Sequence, residues 1–173
     1  MIDILKAALL LTFPALVILA GLRDMVSYTI PNWISLALLA AFPVAALAMG
    51  LVPAAIGLHL AVGLAALLGG MVMFALGWIG GGDAKLFAAA GLWLGWPAVG
   101  TFVVVTGLAG GALASGLLML RSPLARPFVV TSAAWFVRLA EPGENVPYGL
   151  AIAVGALAAF PATGLLRGAV LPF

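Results

Sequence analysis

Long apolar runs separated by short polar breaks make up most of this sequence. A helix that crosses a membrane needs about 20 mostly apolar residues, and the pattern predicts six such spans. They are Ile4–Leu22, Trp33–Met49, Ala54–Leu76, Asp83 to about Trp96, about Ala98 to Leu120, and Gly149–Leu166. A further apolar stretch, Phe128–Leu139, is too short to cross and is predicted to lie along the surface as an interfacial helix. The expected fold class is therefore all-α, a polytopic integral membrane protein.

The composition favours a chain that is embedded in the membrane as one domain. Of its 173 residues, 66% are hydrophobic and 7% are charged, whereas a soluble domain carries about 25% charged residues. We therefore expect residues 1–173 to form a single membrane-embedded domain without a soluble or zinc-binding part. Cysteine is absent, which excludes a disulfide framework, a cysteine-based metal site and a cysteine nucleophile. The net charge of +2 is too small and too scattered to suggest nucleic acid as a partner.

The distribution of lysine and arginine predicts the orientation of the spans, because cytoplasmic loops carry an excess of these residues. The polar breaks on one side hold five of them, namely Arg23, Lys85, Arg121, Arg126 and Arg138. The other side holds two, Lys6 and Arg167. The three breaks are therefore expected in the cytoplasm and both termini outside.

Two aspartates, Asp24 and Asp83, border predicted spans and fall on the same face at the same depth. An ionisable group at membrane depth is expensive and indicates function by default. Each residue also has a structural alternative, since Asp83 could cap a helix and Asp24 could be solvated beside Arg23. Their shared face, and the three glycines that precede Asp83, favour a common chemical site.

Two neighbouring carboxyl groups cannot both ionise easily, so they share a proton. One can then act as a base on a water molecule while the other donates a proton to a scissile carbonyl. Helix dipoles favour the charged form at an N-terminus and disfavour it at a C-terminus. We therefore expect Asp83 to be the ionised base and Asp24 the protonated acid. This chemistry, hydrolysis of a peptide bond, requires no covalent intermediate, metal or other cofactor.

Three segments resemble the prepilin peptidases, also called type IV leader peptidases. Gly80-Gly81-Gly82-Asp83 fits the Gly-x-Gly-Asp motif of that family and continues as Ala84-Lys85-Leu86. Asp24, followed by Ile30-Pro31-Asn32, is similar to the segment of the first catalytic aspartate. Asn145-Val146-Pro147-Tyr148-Gly149 resembles a third family segment. Together, these segments are specific in their order and spacing.

The resemblance implies a membrane-embedded aspartic endopeptidase with Asp24 and Asp83 as catalytic residues. Such enzymes lie in the inner membrane of bacteria and cut the leader from prepilins and pseudopilins at the cytoplasmic face. Larger members also carry a cysteine-rich zinc loop and methylate the new N-terminus. Here the first loop is about ten residues long and lacks cysteine, so the chain resembles the short CpaA-type branch associated with Flp pili. Methyltransferase activity therefore does not follow from the resemblance. A second difference from the family is that Met25–Thr29 lacks the basic residues often found after the first aspartate.

Several other residues have expected supporting roles. Gly80, Gly81 and Gly82 would let an extended substrate lie close to the backbone. Asn32, Pro147 and Tyr148 are candidates to orient the substrate, and Lys85 could anchor the chain at the cytoplasmic boundary or contact the substrate. The only histidine, His59, is expected to have a hydrogen-bonded packing role. Four tryptophans suggest an aromatic belt at the interface, namely Trp78, Trp93, Trp96 and Trp135.

Two rival functions remain open at this stage. The nearest is a general intramembrane aspartic protease. The other is a small transporter or assembly scaffold, in which the aspartates carry protons or pair with arginines. The sequence leaves the substrate and the oligomeric state undetermined.

Overall fold

Seven α-helices form the part of the chain that the computed structural model describes, residues 2–125 and 133–166. They are α1 (Ile2–Ser27), α2 (Asn32–Ala48), α3 (Pro53–Ala75), α4 (Gly81–Leu94), α5 (Ala98–Leu120), α6 (Ala134–Leu139) and α7 (Tyr148–Ala159). A 3₁₀ turn, Phe160–Ala162, follows α7. Because these ranges contain no strand, the all-α expectation is confirmed.

Within the described residues, four helical segments are long and apolar enough to cross a membrane, and this is a multi-pass membrane protein. They are Ile4–Ser27, Pro53–Ala75, Ala98–Leu120 and Tyr148–Leu166. The other two predicted spans are shorter, because α2 has 17 residues and α4 has 14. At 1.5 Å per residue these helices measure about 25 Å and about 21 Å, less than the roughly 30 Å of a hydrocarbon core.

Three predicted boundaries differ from the structure. Helix α1 continues through the first half of the expected polar break and ends at Ser27, so that Asp24 lies in its last turn. The interfacial helix was expected over Phe128–Leu139, and the structure shows its second half as α6. Ala133, just before α6, has an extended backbone. Residues 128–132 of the predicted helix lie outside the described residues. The last span is interrupted after Ala159 by the 3₁₀ turn, which contains Pro161.

The core of the bundle is built around Trp93 of α4. Its ring is fully buried and stacks on Phe13 of α1 at a centroid distance of 5.4 Å. Its Nε1 atom donates a hydrogen bond to the carbonyl oxygen of Leu38 at 2.8 Å, which satisfies the polar handle of the indole. The prediction that Trp93 belongs to an interfacial belt is therefore wrong. The expected packing role of His59 is confirmed, since the buried ring is hydrogen-bonded through Nδ1 to a backbone carbonyl of α4.

The packing places one end of α1 beside one end of α4. Phe13 lies eleven residues before Asp24, and Trp93 lies ten residues after Asp83. Both intervals correspond to about 15–17 Å along a helix. Since Phe13 and Trp93 stack on each other, antiparallel α1 and α4 carry their aspartates at the same end of the bundle. Helix α7 packs against α1 and α5 and begins at this end.

Candidate active site

Asp83 is held by the N-terminus of its own helix. Gly80 is the N-cap of α4, and Asp83 is the third residue of that helix rather than the cap. Its Oδ2 atom accepts a hydrogen bond from the backbone N–H of Gly80 at 2.9 Å. In a full capping box the side chain of the N-cap residue would also accept a hydrogen bond from the backbone N–H of Asp83. This second bond cannot form, because Gly80 has no side chain. The side chain is 7% exposed, and its Oδ1 atom is buried without a hydrogen-bond partner in the described residues.

Asp24 is held by a residue that is remote in the sequence. It lies in the last turn of α1 and is 5% exposed. Its Oδ2 atom accepts a hydrogen bond of 2.7 Å from the backbone N–H of Gly149, the second residue of α7. That N–H has no partner within its own helix, so the carboxyl group satisfies a free donor at the start of α7. Each aspartate thus uses Oδ2 to accept a backbone N–H and keeps Oδ1 available.

The two carboxyl groups border the same two small cavities. One cavity, of about 200 Å³, is lined by Asp24, Tyr28, Thr29, Ile30, Asn32, Gly80, Gly81, Gly82 and Asp83. The other, of about 150 Å³, is lined by Asp24, Tyr28, Gly77, Trp78, Ile79, Gly80, Asp83, Asn145, Val146 and Tyr148. The aspartates are also close enough to interact electrostatically. The structure therefore brings together two residues that are 59 positions apart in the sequence.

Glycine at position 149 is required by the close approach of α1 and α7. A Cβ atom there would lie 2.9 Å from the Cβ and Oδ2 atoms of Asp24 and 2.8 Å from Cδ1 of Ile30. Gly21, one turn before Asp24, makes a second close contact, since its Cβ would lie 3.0 Å from that of Ala153. These small residues let the backbones approach closely, which brings the N–H of Gly149 within reach of Asp24.

Arg121 fixes the segment that leads into α7. It follows the last residue of α5, and its guanidinium donates to three backbone carbonyl oxygens. Nε donates to Leu139 at 2.9 Å, Nη1 to Glu144 at 2.7 Å and Nη2 to Asn145 at 3.0 Å. The planar fork of arginine suits such a multiple contact better than lysine would. We expected only a topological role for this residue, whereas the structure shows that it joins the ends of α5 and α6 to the 145–149 segment.

Tyr28 lies between this segment and the aspartates. Its backbone N–H donates to the carbonyl oxygen of Asp24 at 2.8 Å, and its φ of +54° is uncommon for a residue other than glycine. The guanidinium carbon of Arg138 lies 4.7 Å from the centre of its ring, and Arg138 forms an ion pair with Glu144. The Tyr28 hydroxyl is buried without a hydrogen-bond partner of normal geometry. Burial raises the pKa of this hydroxyl, and the charge of Arg121 opposes that rise.

The residues that were expected to support the site lie on α2, α4 and α7 near the aspartates. Asn32 begins α2, lines the cavity of about 200 Å³ and accepts a hydrogen bond of 2.9 Å from Nζ of Lys85. Lys85 itself lines neither of the two small cavities. Gly82 packs closely on Ile30. Pro147 is buried as the N-cap of α7, and the following Tyr148 lines the smaller cavity.

Sequence reasoning did not single out Arg121, Tyr28 or Gly149 as parts of this site. The sequence predicts that Pro147 and Tyr148 of the Asn145–Gly149 segment orient the substrate, but nothing in the composition of this segment indicates a contact with Asp24. Tyr28 directly follows a helix that was expected to end five residues earlier. A signal for Arg121 does exist, because an arginine at a helix C-terminus often binds nearby carbonyl groups.

The fold and the site together define a multi-pass helical membrane protein with two buried carboxyl groups at one end of the bundle. The chain matches the type IV leader peptidase family over residues 11–115, more than half of its length, and it belongs to that family. Membership indicates a protease of the leader-peptidase type. The matched range includes Asp24 and Asp83 and ends before the 145–149 segment. No curated protein and no solved structure matches the chain.

Proposed function

We propose that this protein is an aspartic endopeptidase that removes the leader from prepilins or pseudopilins, with Asp24 and Asp83 as its catalytic residues. The observation that carries the proposal is that both buried carboxyl groups border the same cavities. Family membership supports the reaction class, and the short loop between α1 and α2 favours the branch that processes Flp-type pilins.

The arrangement suits hydrolysis through a water molecule held between the carboxyl groups. One carboxylate takes a proton from the water as its oxygen attacks the scissile carbonyl carbon, and the other carboxylic acid donates its proton to the carbonyl oxygen. When the tetrahedral intermediate collapses, the carbon–nitrogen bond breaks and the first carboxyl returns its proton to the leaving nitrogen. The second carboxylate takes back a proton from a hydroxyl of the intermediate as the new carbonyl forms, which restores both groups. The Oδ1 atoms, which accept no backbone N–H, are the ones available for these transfers.

We further propose that all six predicted spans cross the membrane, with α2 and α4 as the short ones. The excess of lysine and arginine in the breaks supports an orientation with the aspartates at the cytoplasmic face of the inner membrane and both termini outside. A short helix near a polar cavity can be accommodated if the bilayer thins locally. The aspartates would then meet the substrate where it leaves the bilayer.

The scaffold alternative requires a different use of the aspartates. If they paired with arginines, an ion pair would be expected, yet neither aspartate forms one in residues 4–125 and 133–166. Arg23, next to Asp24, is exposed while Asp24 is buried. A general intramembrane protease remains the nearest alternative, and its discriminating feature is substrate range.

Substitution of the aspartates by asparagine tests the proposal. Asp83→Asn and Asp24→Asn keep the size of each side chain but remove its acid–base chemistry, so each should lower cleavage of a prepilin by at least about 100-fold. The measurement is the conversion of precursor to mature pilin in membranes, at matched enzyme levels. A variant that inserts normally and still cuts the precursor would contradict the proposal.

A further inference from the structure

An open, mostly apolar groove lies between α2 and α3, with α4 as its floor. Both α2 and α3 pack against α4, but they make no comparably extensive contact with each other. The resulting cavity has a volume of about 530 Å³ and is lined by Asn32, Ser35, Leu36, Leu39, Leu60, Gly63, Leu64, Leu67, Lys85, Ala88, Ala89 and Leu92. In the described structure no side chain fills this space, and several of the leucines are more than half exposed.

The groove adjoins the cavity that contains the two aspartates. Asn32 lines both of them, and its side chain is fixed there by the hydrogen bond from Lys85. The polar residues Asn32, Ser35 and Lys85 thus lie toward the end of the groove that meets the active site. The remainder of the lining is apolar. A chain lying in the groove would therefore leave an apolar environment beside Asn32, which also borders the cavity of the aspartates.

The lining of the groove can pack against an apolar helix. Its floor on α4 contains Ala88 and Ala89, and small residues allow a second helix to approach closely within a membrane. Its walls are formed by leucines of α2 and α3, which can pack against apolar side chains. The two walls converge on α4, the helix that carries Asp83.

We propose that this groove binds the apolar helical segment of the substrate that is anchored in the membrane, an inference that rests on the proposed function. The helix packs between α2 and α3, and its end near Asn32 unwinds toward the aspartates. The scissile bond then lies between Asp24 and Asp83. The cavity bordered by Gly77, Trp78 and Asn145 on the other side of the aspartates is left for the chain beyond the cut.

Filling the groove tests this assignment. Ala88→Phe places a ring on the groove floor, and Ala112→Phe places the same ring on an exposed position of α5 that lines none of the three cavities. We expect Ala88→Phe to raise KM for a precursor that contains its apolar segment by at least about tenfold with little change in kcat, because only binding is impaired. Ala112→Phe should leave both constants unchanged.

A photocrosslinking experiment covers the case in which Ala88→Phe fails to fold. A photoreactive p-benzoylphenylalanine is placed at Leu64 in the groove or at Leu108 on the exposed face of α5, each in the Asp83→Asn background so that the precursor is not consumed. The precursor should be captured from position 64 and not from position 108. Capture of lipid alone at position 64, or capture of the precursor equally from both positions, would overturn the assignment.

The outcomes separate this inference from the proposed function. Normal cleavage of the precursor by Ala88→Phe, together with inactive Asp83→Asn, would show that the groove assignment is wrong while the protease stands. Failure of the unmodified protein to cut any prepilin would instead contradict the proposed function itself.

Discussion

Asp24 and Asp83 border the same cavities but are held in very different ways. Asp83 accepts a hydrogen bond from Gly80, three residues away, within the first turn of α4. Asp24 accepts one from Gly149, which is 125 residues away on α7. The first contact forms whenever α4 forms, whereas the second requires that α1, α7 and the segment before α7 all be in place. The comparison indicates that Asp24 is the carboxyl whose position depends on the tertiary structure.

Because Asp24 depends on α7, residues that hold the segment before α7 can affect the site without contacting the aspartates. Arg121 binds the carbonyl groups of Glu144 and Asn145, and these residues lie just before the N–H donor to Asp24. We therefore propose that Arg121 is a positioning residue that acts on Asp24 through the backbone. Within the described residues, the hydrogen bond that the Asp83 side chain accepts is the local one from Gly80, although its carboxyl group also lies near the backbone N–H of Gly149.

The largest expected effect that would test this comparison comes from Gly149→Ala. The added Cβ atom would lie within 3 Å of Asp24 and Ile30, so either α7 or the aspartate must move. A displacement of about 1 Å at a reacting group can cost on the order of 100-fold in rate, and we expect a loss of that size in kcat for prepilin cleavage. Gly107→Ala is the matched control, because a Cβ there meets nothing within 4 Å. Full activity of Gly149→Ala would show that the contact with Asp24 is not needed.

Arg121→Lys should have an intermediate effect. Lysine keeps the charge but cannot reproduce the guanidinium fork that reaches three carbonyl groups, so the segment before α7 should loosen. We expect a fall of about tenfold in kcat with KM less affected, measured on the same precursor. Arg23→Lys is the control, because Arg23 is exposed and its side chain makes no hydrogen bond in the described part of the chain. Equal losses for the two variants would argue against a specific positioning role.

The smallest effect is expected for Gly80→Ala, which alters the local support of Asp83. The backbone of Gly80 is extended, with φ −74° and ψ 158°, and alanine can adopt this conformation. Its Cβ would lie 3.1 Å from Oδ2 of Asp83, a distance that a small adjustment relieves, and the N–H donor remains. We expect at most about a fivefold loss of activity, equivalent to about 1 kcal/mol. A loss as large as that of Gly149→Ala would mean that the two supports are equally sensitive.

The same contrast explains how much of the protein could be predicted from its sequence. Apolar runs of helical length identify the helices, and the Gly-x-Gly-Asp motif leads to Asp83 because its support is local. Asp24 is indicated by its position beside a predicted span on the same face as Asp83, and the resemblance to a family supports it. The donor at Gly149 could not be found from composition, because a backbone N–H is present at every residue except proline and only packing decides which one meets a carboxylate.

Helix boundaries and burial were predicted less well, for physical reasons that particular residues illustrate. Arg23 and Asp24 suggested a polar break, but a helix tolerates both, and α1 continues to Ser27. Trp93 resembles the other tryptophans in sequence, yet it is buried because its indole N–H meets the carbonyl oxygen of Leu38 inside the bundle. Where a helix ends and whether a tryptophan is buried depend on contacts with neighbouring helices. The residue pattern along a single helix carries no information about those contacts.

The most direct test of the central claim is whether positions 24 and 83 meet in the membrane-embedded protein. The chain has no cysteine, so the double variant Asp24→Cys/Asp83→Cys carries the only two thiols, and a disulfide forms only when the two side chains approach closely. The control pair is Asp24→Cys/Leu108→Cys, since Leu108 is 70% exposed on α5. The account predicts rapid oxidative crosslinking of the first pair and none of the second. Absence of a crosslink between 24 and 83, in protein that has inserted normally and under conditions that oxidise exposed thiols, would contradict it.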